Sequence, residues 1–309
     1  MLVSMREDKE KKMIYGLLGC NISYSLSPCM HNFAFRHFGI NAEYKVFDTA
    51  SSDVSGFLKD LGKGSLSGIN ITVPYKVIAK DAVLEASGSR IDEFALKLGA
   101  INTIKIDSGR LEGFNTDGPG FAESLKDDLG LTPGKLTGEK VLVLGAGGAA
   151  RAISFYLLGS KFSPATIFIH DIDRDKARSL SLDLAAVYGE SFVKEIDERE
   201  ASLRSMECVL VVNATPLGTK ENDPIPFPGG HPCGSAALYD LVYARQTELV
   251  KAWKKKGLRS SGGLGMLVSQ AVLTFNIWTE AKYELHEIKS VMRSSLPAEM
   301  KEQYGWNIS

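Results

Sequence analysis

The run Lys140-Val-Leu-Val-Leu144 passes straight into Gly145-Ala-Gly-Gly-Ala-Ala150, and nothing else in the chain limits its fold so tightly. A short Val/Leu run that stops at glycines and resumes as a helical pattern reads as a buried strand, a tight turn and a helix start. Glycine permits the turn and lets backbone N–H groups approach a pyrophosphate, which then lies on the positive end of the helix. The pattern meets the dinucleotide fingerprint except at its third glycine position, where Ala150 stands, a substitution the motif tolerates. The bland alternative is a strand-to-helix turn of any doubly wound fold. The flanking strand and helix favour the nucleotide reading, which makes Gly145, Ala146, Gly147, Gly148 and Ala149 the candidate cofactor-binding residues.

At 309 residues the chain exceeds the size at which a single core stops growing, so two domains are expected. From Met13 to about Thr116, apolar runs at 14–18, 44–47, 68–72 and 101–106 predict strands, and 28–38 and 54–61 predict helices. After the turn-rich stretch 131–139 a second α/β block begins, with near-continuous apolar runs at 140–144, 165–170, 208–212 and 237–242, as parallel strands covered on both faces require. The tail carries helical spacing over 265–278 and 284–294 and no strand pattern. The expected fold class is α/β: an N-terminal α/β substrate domain and a Rossmann-type doubly wound parallel-sheet domain, with C-terminal helices packing back on the first domain. The expected limits are 13–117 with 262–309 for the first and 118–261 for the second, with the active site in the cleft between them. Residues 1–12 alternate in charge and read as a flexible extension.

A formal charge of -1 argues against nucleic acid or an anionic membrane as partner, since both select a basic face. No apolar run approaches the ~20 residues that span a bilayer. Cys20, Cys29, Cys208 and Cys233 lie far apart without Cys-x-x-Cys, which fits neither a zinc site nor a disulfide framework. Reduced cysteines in a cytoplasmic protein with no metal are expected. The strand Ala165–His170 ends at Asp171, where a carboxylate can accept from an adenosine ribose and would repel the 2′-phosphate of NADP. That favours NAD over NADP, against two considerations: Arg174 lies within reach of a phosphate, and Asp171 could instead cap the following helix.

Further motifs follow in order: Ser25-Leu-Ser-Pro-Cys-Met-His-Asn32, Asn70-Ile-Thr-Val-Pro-Tyr-Lys76, Gly99-Ala-Ile-Asn-Thr103, Asn115-Thr-Asp-Gly118, Asn213-Ala-Thr-Pro-Leu-Gly218, Tyr239-Asp-Leu-Val-Tyr243 and Gly263-Leu-Gly-Met-Leu-Val-Ser-Gln270. Together they resemble the shikimate dehydrogenase family over nearly the whole chain from Met13. The resemblance implies a cytoplasmic enzyme of aromatic amino-acid biosynthesis that moves a hydride between a nicotinamide and the ring carbon of shikimate or 3-dehydroshikimate. Such a reaction needs a proton donor or base at the oxygen, within ~3 Å. The resemblance assigns this to Lys76 beside Asp117, either as acid/base or as electrostatic stabiliser, where the bland reading is a solvated lysine at a helix start. It implies Ser25, Ser27 and Tyr243 for the substrate carboxylate and Thr72, Asn102 and Gln270 for its hydroxyls. For Ser27 the local alternative is an N-cap before Pro28, a duty Ser25 lacks. Asn213 and Thr215 would border the cofactor ribose, and Gly265 and Met266 the nicotinamide, with core packing the alternative for Met266.

The chain departs from the family at Tyr24 (often histidine), at Thr219 (often methionine), at Gly262 (often aspartate), and after Tyr243, where it is one residue short. The stretch Asp171-Ile172-Asp173 replaces the Asn-Arg-Thr of NADP users, so the phosphate-clamping arginine is missing at 172. That points toward relatives that use NAD and accept quinate, and makes a catabolic quinate/shikimate dehydrogenase the runner-up. Ser27 favours shikimate, because quinate-preferring relatives often carry threonine there. A non-catalytic sensor on the same fold has no need of both Lys76 and Asp117. A monomer or homodimer is expected.

Overall fold

A computed structural model of the chain describes residues 12–226 and 234–306. Apart from Lys12, the extension expected at 1–12 lies outside the described residues, as does Cys233. The strands are β1 (Met13–Gly19), β2 (Ala42–Asp48), β3 (Gly68–Ile71), β4 (Arg90–Ile91), β5 (Thr103–Asp107), β6 (Arg110–Phe114), β7 (Lys140–Leu144), β8 (Thr166–His170), β9 (Val193–Glu195), β10 (Leu210–Asn213), β11 (Ala237–Asp240) and β12 (Ser260–Ser261). Among the described residues the helices of ten residues or more are α1 (Ser27–His37), α2 (Lys76–Glu85), α3 (Asp117–Leu129), α4 (Gly148–Gly159), α5 (Arg174–Tyr188), α6 (Leu264–Trp278) and α7 (Leu285–Ser294).

The chain divides into two compact units. The first holds the described residues up to Asp92 together with Ala100–Phe114 and Thr274–Leu296. Its sheet runs β2-β1-β3-β5-β6-β4, with β1 parallel to both neighbours, β3/β5 and β5/β6 antiparallel, and β4/β6 parallel. The β5–β6 hairpin turns at Ser108 and Gly109, both at positive φ, the geometry that matches the twist of a tight hairpin. An aromatic cluster of Tyr15, Phe35, Phe275 and Trp278 packs under the sheet, and Trp278 Nε1 donates to Ile104 O at 3.1 Å. Helix α7 lies against α1, so a tail helix does return to this unit.

The second unit holds Glu93–Gly99, Asn115–Leu273 and the described residues from Pro297. Its sheet is parallel throughout, in the order β12-β11-β10-β7-β8-β9. Taking β7 as the first strand, this is the doubly wound order, with the reversal between β7 and β10. Apolar strand residues such as Leu142, Val211 and Leu238 are fully buried with Trp253, whose Nε1 donates to Ala236 O at 2.9 Å.

These units differ from the limits expected from sequence, since 93–99, 115–117, 262–273 and 297–306 fall with the second. Arg151 Nε donates to Leu98 O at 2.8 Å, and Phe94 meets Tyr156 edge-on, which binds 93–99 to α4. The first turn of α6 is held by two phenols: Leu264 N donates to Tyr304 Oη at 3.3 Å and Met266 N to Tyr239 Oη at 3.0 Å. Farther along, α6 crosses α3 where a Cβ on Gly120 would stand 2.8 Å from Gln270 N. The head of α6 leaves no space for side chains at its glycines. A Cβ on Gly263 would lie 2.1 Å from Leu241 O, a backbone atom that cannot swing aside. Gly263→Ala is therefore expected to destabilise by ~1–3 kcal/mol. Gly56→Ala, at a helical position with nothing within 4 Å, should be neutral or stabilising. Equal denaturant midpoints for the two variants would contradict this account.

No helix among the described residues is long and apolar enough to cross a membrane.

Candidate active site

In the first unit, the candidate substrate residues gather where β1, β3 and the turn before β5 come together. Thr72 follows β3, its N–H donates to Leu18 O at 2.9 Å, and its methyl occupies the space a Cβ on Gly19 would need. After the cis Val73–Pro74 bond, Tyr75 anchors the turn by donating to Thr49 O at 2.7 Å. Lys76 then opens α2, half-buried, and its carbonyl accepts from Ile101 N at 3.1 Å. That bond places Lys76 beside the Ala100–Asn102 turn. Asn102 is buried; its O accepts from Ile71 N, its N–H donates to Phe114 O, and its Oδ1 accepts from the Thr103 hydroxyl at 3.0 Å.

The serine turn reverses the expected local duties. Ser25 Oγ accepts from Ser27 N at 3.2 Å, so Ser25 is the residue with a turn to hold. Ser27 is the first residue of α1; the N-cap is Leu26, which makes no side-chain cap bond. Ser27 instead lies buried in the first turn of α1. The N-cap alternative for Ser27 fails because the helix already begins at Ser27, which makes Pro28 its second residue rather than the first.

In the second unit, Asp117 heads α3 and is buried; its N–H donates to Asn115 Oδ1 at 3.0 Å. A carboxylate in the first turn sits favourably on the helix dipole. The glycine turn leaves β7 with Gly145 at φ +99, its N–H donating to His170 O at 2.7 Å. A Cβ at Gly145 would press on Ala214 and Thr215 backbone at 3.0–3.1 Å, so the loop after β10 lies against the turn. At Gly147 and Gly148 a Cβ would meet nothing within 4 Å, and Gly147 gives α4 no side-chain cap. An open backbone at a helix N-terminus on the switch point fits a pyrophosphate.

Asp171 closes the turn on its other side, accepting from Ala146 N at 2.7 Å and Asp173 N at 2.8 Å. The helix cap is Asp173, which accepts from Lys176 N at 3.3 Å and pairs with the Lys176 ammonium, so Asp171 is not spent on capping. Arg174 is paired with Glu195 at 3.3 Å, and Ile172 stands 93% exposed between the two carboxylates.

Asn213 is turned inward: Nδ2 donates to Asp240 Oδ1 at 2.8 Å, and Oδ1 accepts from Thr215 N and Oγ1. It shapes the loop that carries Thr215. Burial pushes the Asp240 carboxyl up to about 6, against the downward pull of hydrogen bonds from Thr247, Val242 N–H and Asn213. Tyr243 is half-buried beyond the end of β11. A Cβ on Gly265 would meet Asp128 Oδ2 at 1.9 Å, and Met266 is buried, which matches the packing alternative for that residue. Gln270 Nε2 donates to Leu267 O at 2.8 Å within α6. Sequence reasoning missed Tyr44, Asn70, Thr103 and Thr274, which form a buried hydrogen-bonded chain behind the substrate residues. Asn70 stood inside a quoted motif, but a tyrosine in a strand carries no comparable signal.

Residues 17–104 match the shikimate dehydrogenase substrate binding domain. A shikimate dehydrogenase (NADP+) of Carboxydothermus hydrogenoformans is 38% identical over 283 residues, covering 89% of this chain and 94% of that protein. The chain belongs to the shikimate dehydrogenase family. Among solved structures, the Thermus thermophilus shikimate dehydrogenase in complex with NADP(H) and shikimate is similar at TM-score 0.76 and 30% identity, covering 92% of this chain and 100% of that one. The Corynebacterium glutamicum quinate dehydrogenase in complex with NAD is similar at TM-score 0.79 and 27% identity, covering 92% and 99%. Family membership matches the resemblance read from the ordered motifs and the α/β fold class.

Proposed function

We propose that the chain is a shikimate dehydrogenase, reducing 3-dehydroshikimate to shikimate and catalysing the reverse reaction. The reading is carried by one combination: a half-buried lysine set against the Asn102 turn, in a chain that also presents an open glycine turn at a doubly wound switch point. Gly147 and Gly148 would hold the nicotinamide dinucleotide, which when bound would supply or accept the hydride. Lys76 handles the proton of the substrate oxygen, giving it during ketone reduction and taking it during alcohol oxidation. Asp117 accepts from a substrate hydroxyl. Ser25, Ser27 and Tyr243 take the substrate carboxylate, and Thr72, Asn102 and Gln270 its remaining hydroxyls. Thr215 borders the cofactor ribose.

NAD is the proposed cofactor. The Asp171 carboxylate flanks the glycine turn, position 172 offers no cation, and Arg174 is already paired with Glu195. A 2′-phosphate would meet negative charge without a clamp. With shikimate as substrate, kcat/KM is expected to favour NAD over NADP by about tenfold or more, which corresponds to ~1.4 kcal/mol of discrimination. A preference for NADP would overturn this assignment. The same Asp171-Ile172 feature supports a second reading, a quinate/shikimate dehydrogenase, because one NAD-bound relative is a quinate dehydrogenase. Steady-state rates with both acids and both cofactors separate the two readings; higher kcat/KM for quinate would replace the first by the second.

A further inference from the structure

Asn213, fully buried at the end of β10, has its amide fixed at both ends. Its Nδ2 donates to Asp240 Oδ1 at 2.8 Å and to Leu217 O at 3.3 Å, and its Oδ1 accepts from Thr215 N at 3.1 Å and from Thr215 Oγ1 at 2.7 Å. Asp240, equally buried at the end of β11, also accepts from Val242 N at 3.1 Å and from the Thr247 hydroxyl at 2.6 Å. Thr247 is the N-cap of the helix Glu248–Lys255, so its oxygen is held in turn by Val250 N. The Thr215 oxygen accepts from Leu217 N at 3.2 Å. Thr215 is half-buried on the loop that lies against the glycine turn, where a Cβ on Gly145 would stand 3.1 Å from Thr215 N.

With its carboxyl pushed up only to about 6, Asp240 is ionised at neutral pH and can only accept. It therefore takes the nitrogen end of the Asn213 amide, and with Leu217 O it uses both amide hydrogens. The amide oxygen is left facing Thr215, and it receives the backbone N–H and the hydroxyl hydrogen of that residue. A hydroxyl has one hydrogen and two lone pairs, so Thr215 keeps one lone pair and has nothing to donate. An oxygen in that state repels a phosphate oxygen and suits a hydroxyl donor. In a dinucleotide, ribose hydroxyls flank the pyrophosphate that the open N–H groups of the glycine turn fit. We propose that Asp240 and Asn213 are positioning residues that commit the Thr215 hydrogen, so that Thr215 meets the dinucleotide as an acceptor for one ribose hydroxyl. The inference rests on the nicotinamide reading of the second unit. Asn213, sealed from solvent with both amide hydrogens committed, acts through Thr215 and does not itself touch the cofactor.

Thr215→Val keeps the shape of the side chain and removes its oxygen. Titration calorimetry without substrate gives the dissociation constants of the tighter-bound dinucleotide, NAD on the reading above, and of analogues each lacking one of its ribose hydroxyls. One analogue should bind the wild type about three- to tenfold more weakly than the parent dinucleotide, the scale of one hydrogen bond. The same analogue should bind Thr215→Val no more weakly than the parent does, while penalties at the other hydroxyls remain. Asp240→Leu should weaken the parent dinucleotide, whereas Asp240→Asn, which keeps an oxygen toward Asn213, should bind it as the wild type does. Because the effect passes through Thr215, Asp240→Leu should cost less in the Thr215→Val background than alone. Where Asp240→Leu does not fold, Asn213→Ala cuts the same chain and takes its place in these comparisons. Survival of every analogue penalty in Thr215→Val would overturn the proposal. So would a chain-cutting variant that lowers the thermal midpoint with its dissociation constant unmoved, effects that multiply with that of Thr215→Val, or an Asp240→Asn loss as large as that of the chain-cutting variant. A wild type that binds no nicotinamide dinucleotide overturns the functional reading and this inference with it. A wild type that binds one, with unaffected variants, overturns this inference alone.

Discussion

Lys76→Ala is expected to lower kcat for shikimate oxidation by ~10²- to 10⁴-fold, the range that a positioned acid/base group contributes. The fold should tolerate the change. A tertiary bond that Lys76 makes through its carbonyl, accepting from Ile101 N, survives the change, and alanine is a good residue in the first turn of α2. A thermal midpoint near that of the wild type is therefore expected beside the lost turnover, and KM for the nicotinamide should hold. Lys76→Arg separates the two roles open to the lysine. Arginine keeps the positive charge but does not release its proton in a protein. Loss of turnover in the arginine variant as well points to proton transfer, whereas substantial recovery points to electrostatic stabilisation of the developing alkoxide. Wild-type turnover in Lys76→Ala would remove the residue from the reaction.

The parallel sheet of the second unit was legible because strands buried on both faces leave continuous apolar runs; β7, β8 and β11 fall within the expected segments, and β10 overruns its segment by one residue, Asn213. The two-residue β12, Ser260–Ser261, has no apolar pattern and left no such trace. Strand β6 reads Arg-Leu-Glu-Gly-Phe, an alternating run whose best signal was the Ser108-Gly109 turn before it. Candidate site residues could be named where short motifs carried them, but their local hydrogen-bonding duties could not. The helix cap fell to Asp173 rather than Asp171, and the turn bond to Ser25 rather than Ser27; each depends on where a helix begins to within one residue. The linkage from Tyr44 through Asn70 to Asn102 joins residues far apart in sequence. No spacing rule reaches across it, because the bonds exist only once β2 and β3 share a sheet.

His31 makes the first unit acid-sensitive in a defined window. Its ring is fully buried among Tyr44, Phe35, Phe275 and Trp278, and neither ring nitrogen has a hydrogen-bond partner. Burial holds its pKa down at about 3, from the ordinary 6.5, while the stacked Tyr44 phenol is pushed upward by burial and stays neutral throughout acid conditions. Between pH 3 and 6.5 the unfolded chain thus binds a proton at this residue that the folded chain refuses. Stability rises with pH wherever the unfolded state holds more protons, so the contribution is fully present above about pH 6.5 and drains away as pH falls. The loss amounts to ~3 kcal/mol at about pH 4.5 and ~4 kcal/mol near pH 3. His31→Phe keeps an aromatic ring against Tyr44 and has no proton to gain. Unfolding free energy measured with denaturant at pH 7 and pH 4.5 should drop by ~3 kcal/mol more in the wild type than in the variant. Comparing the two drops cancels any constant packing cost of phenylalanine and the titration of carboxylates common to both proteins, Asp240 among them. Equal drops would mean that the folded protein admits the proton at His31, and hence that the aromatic box opens to water.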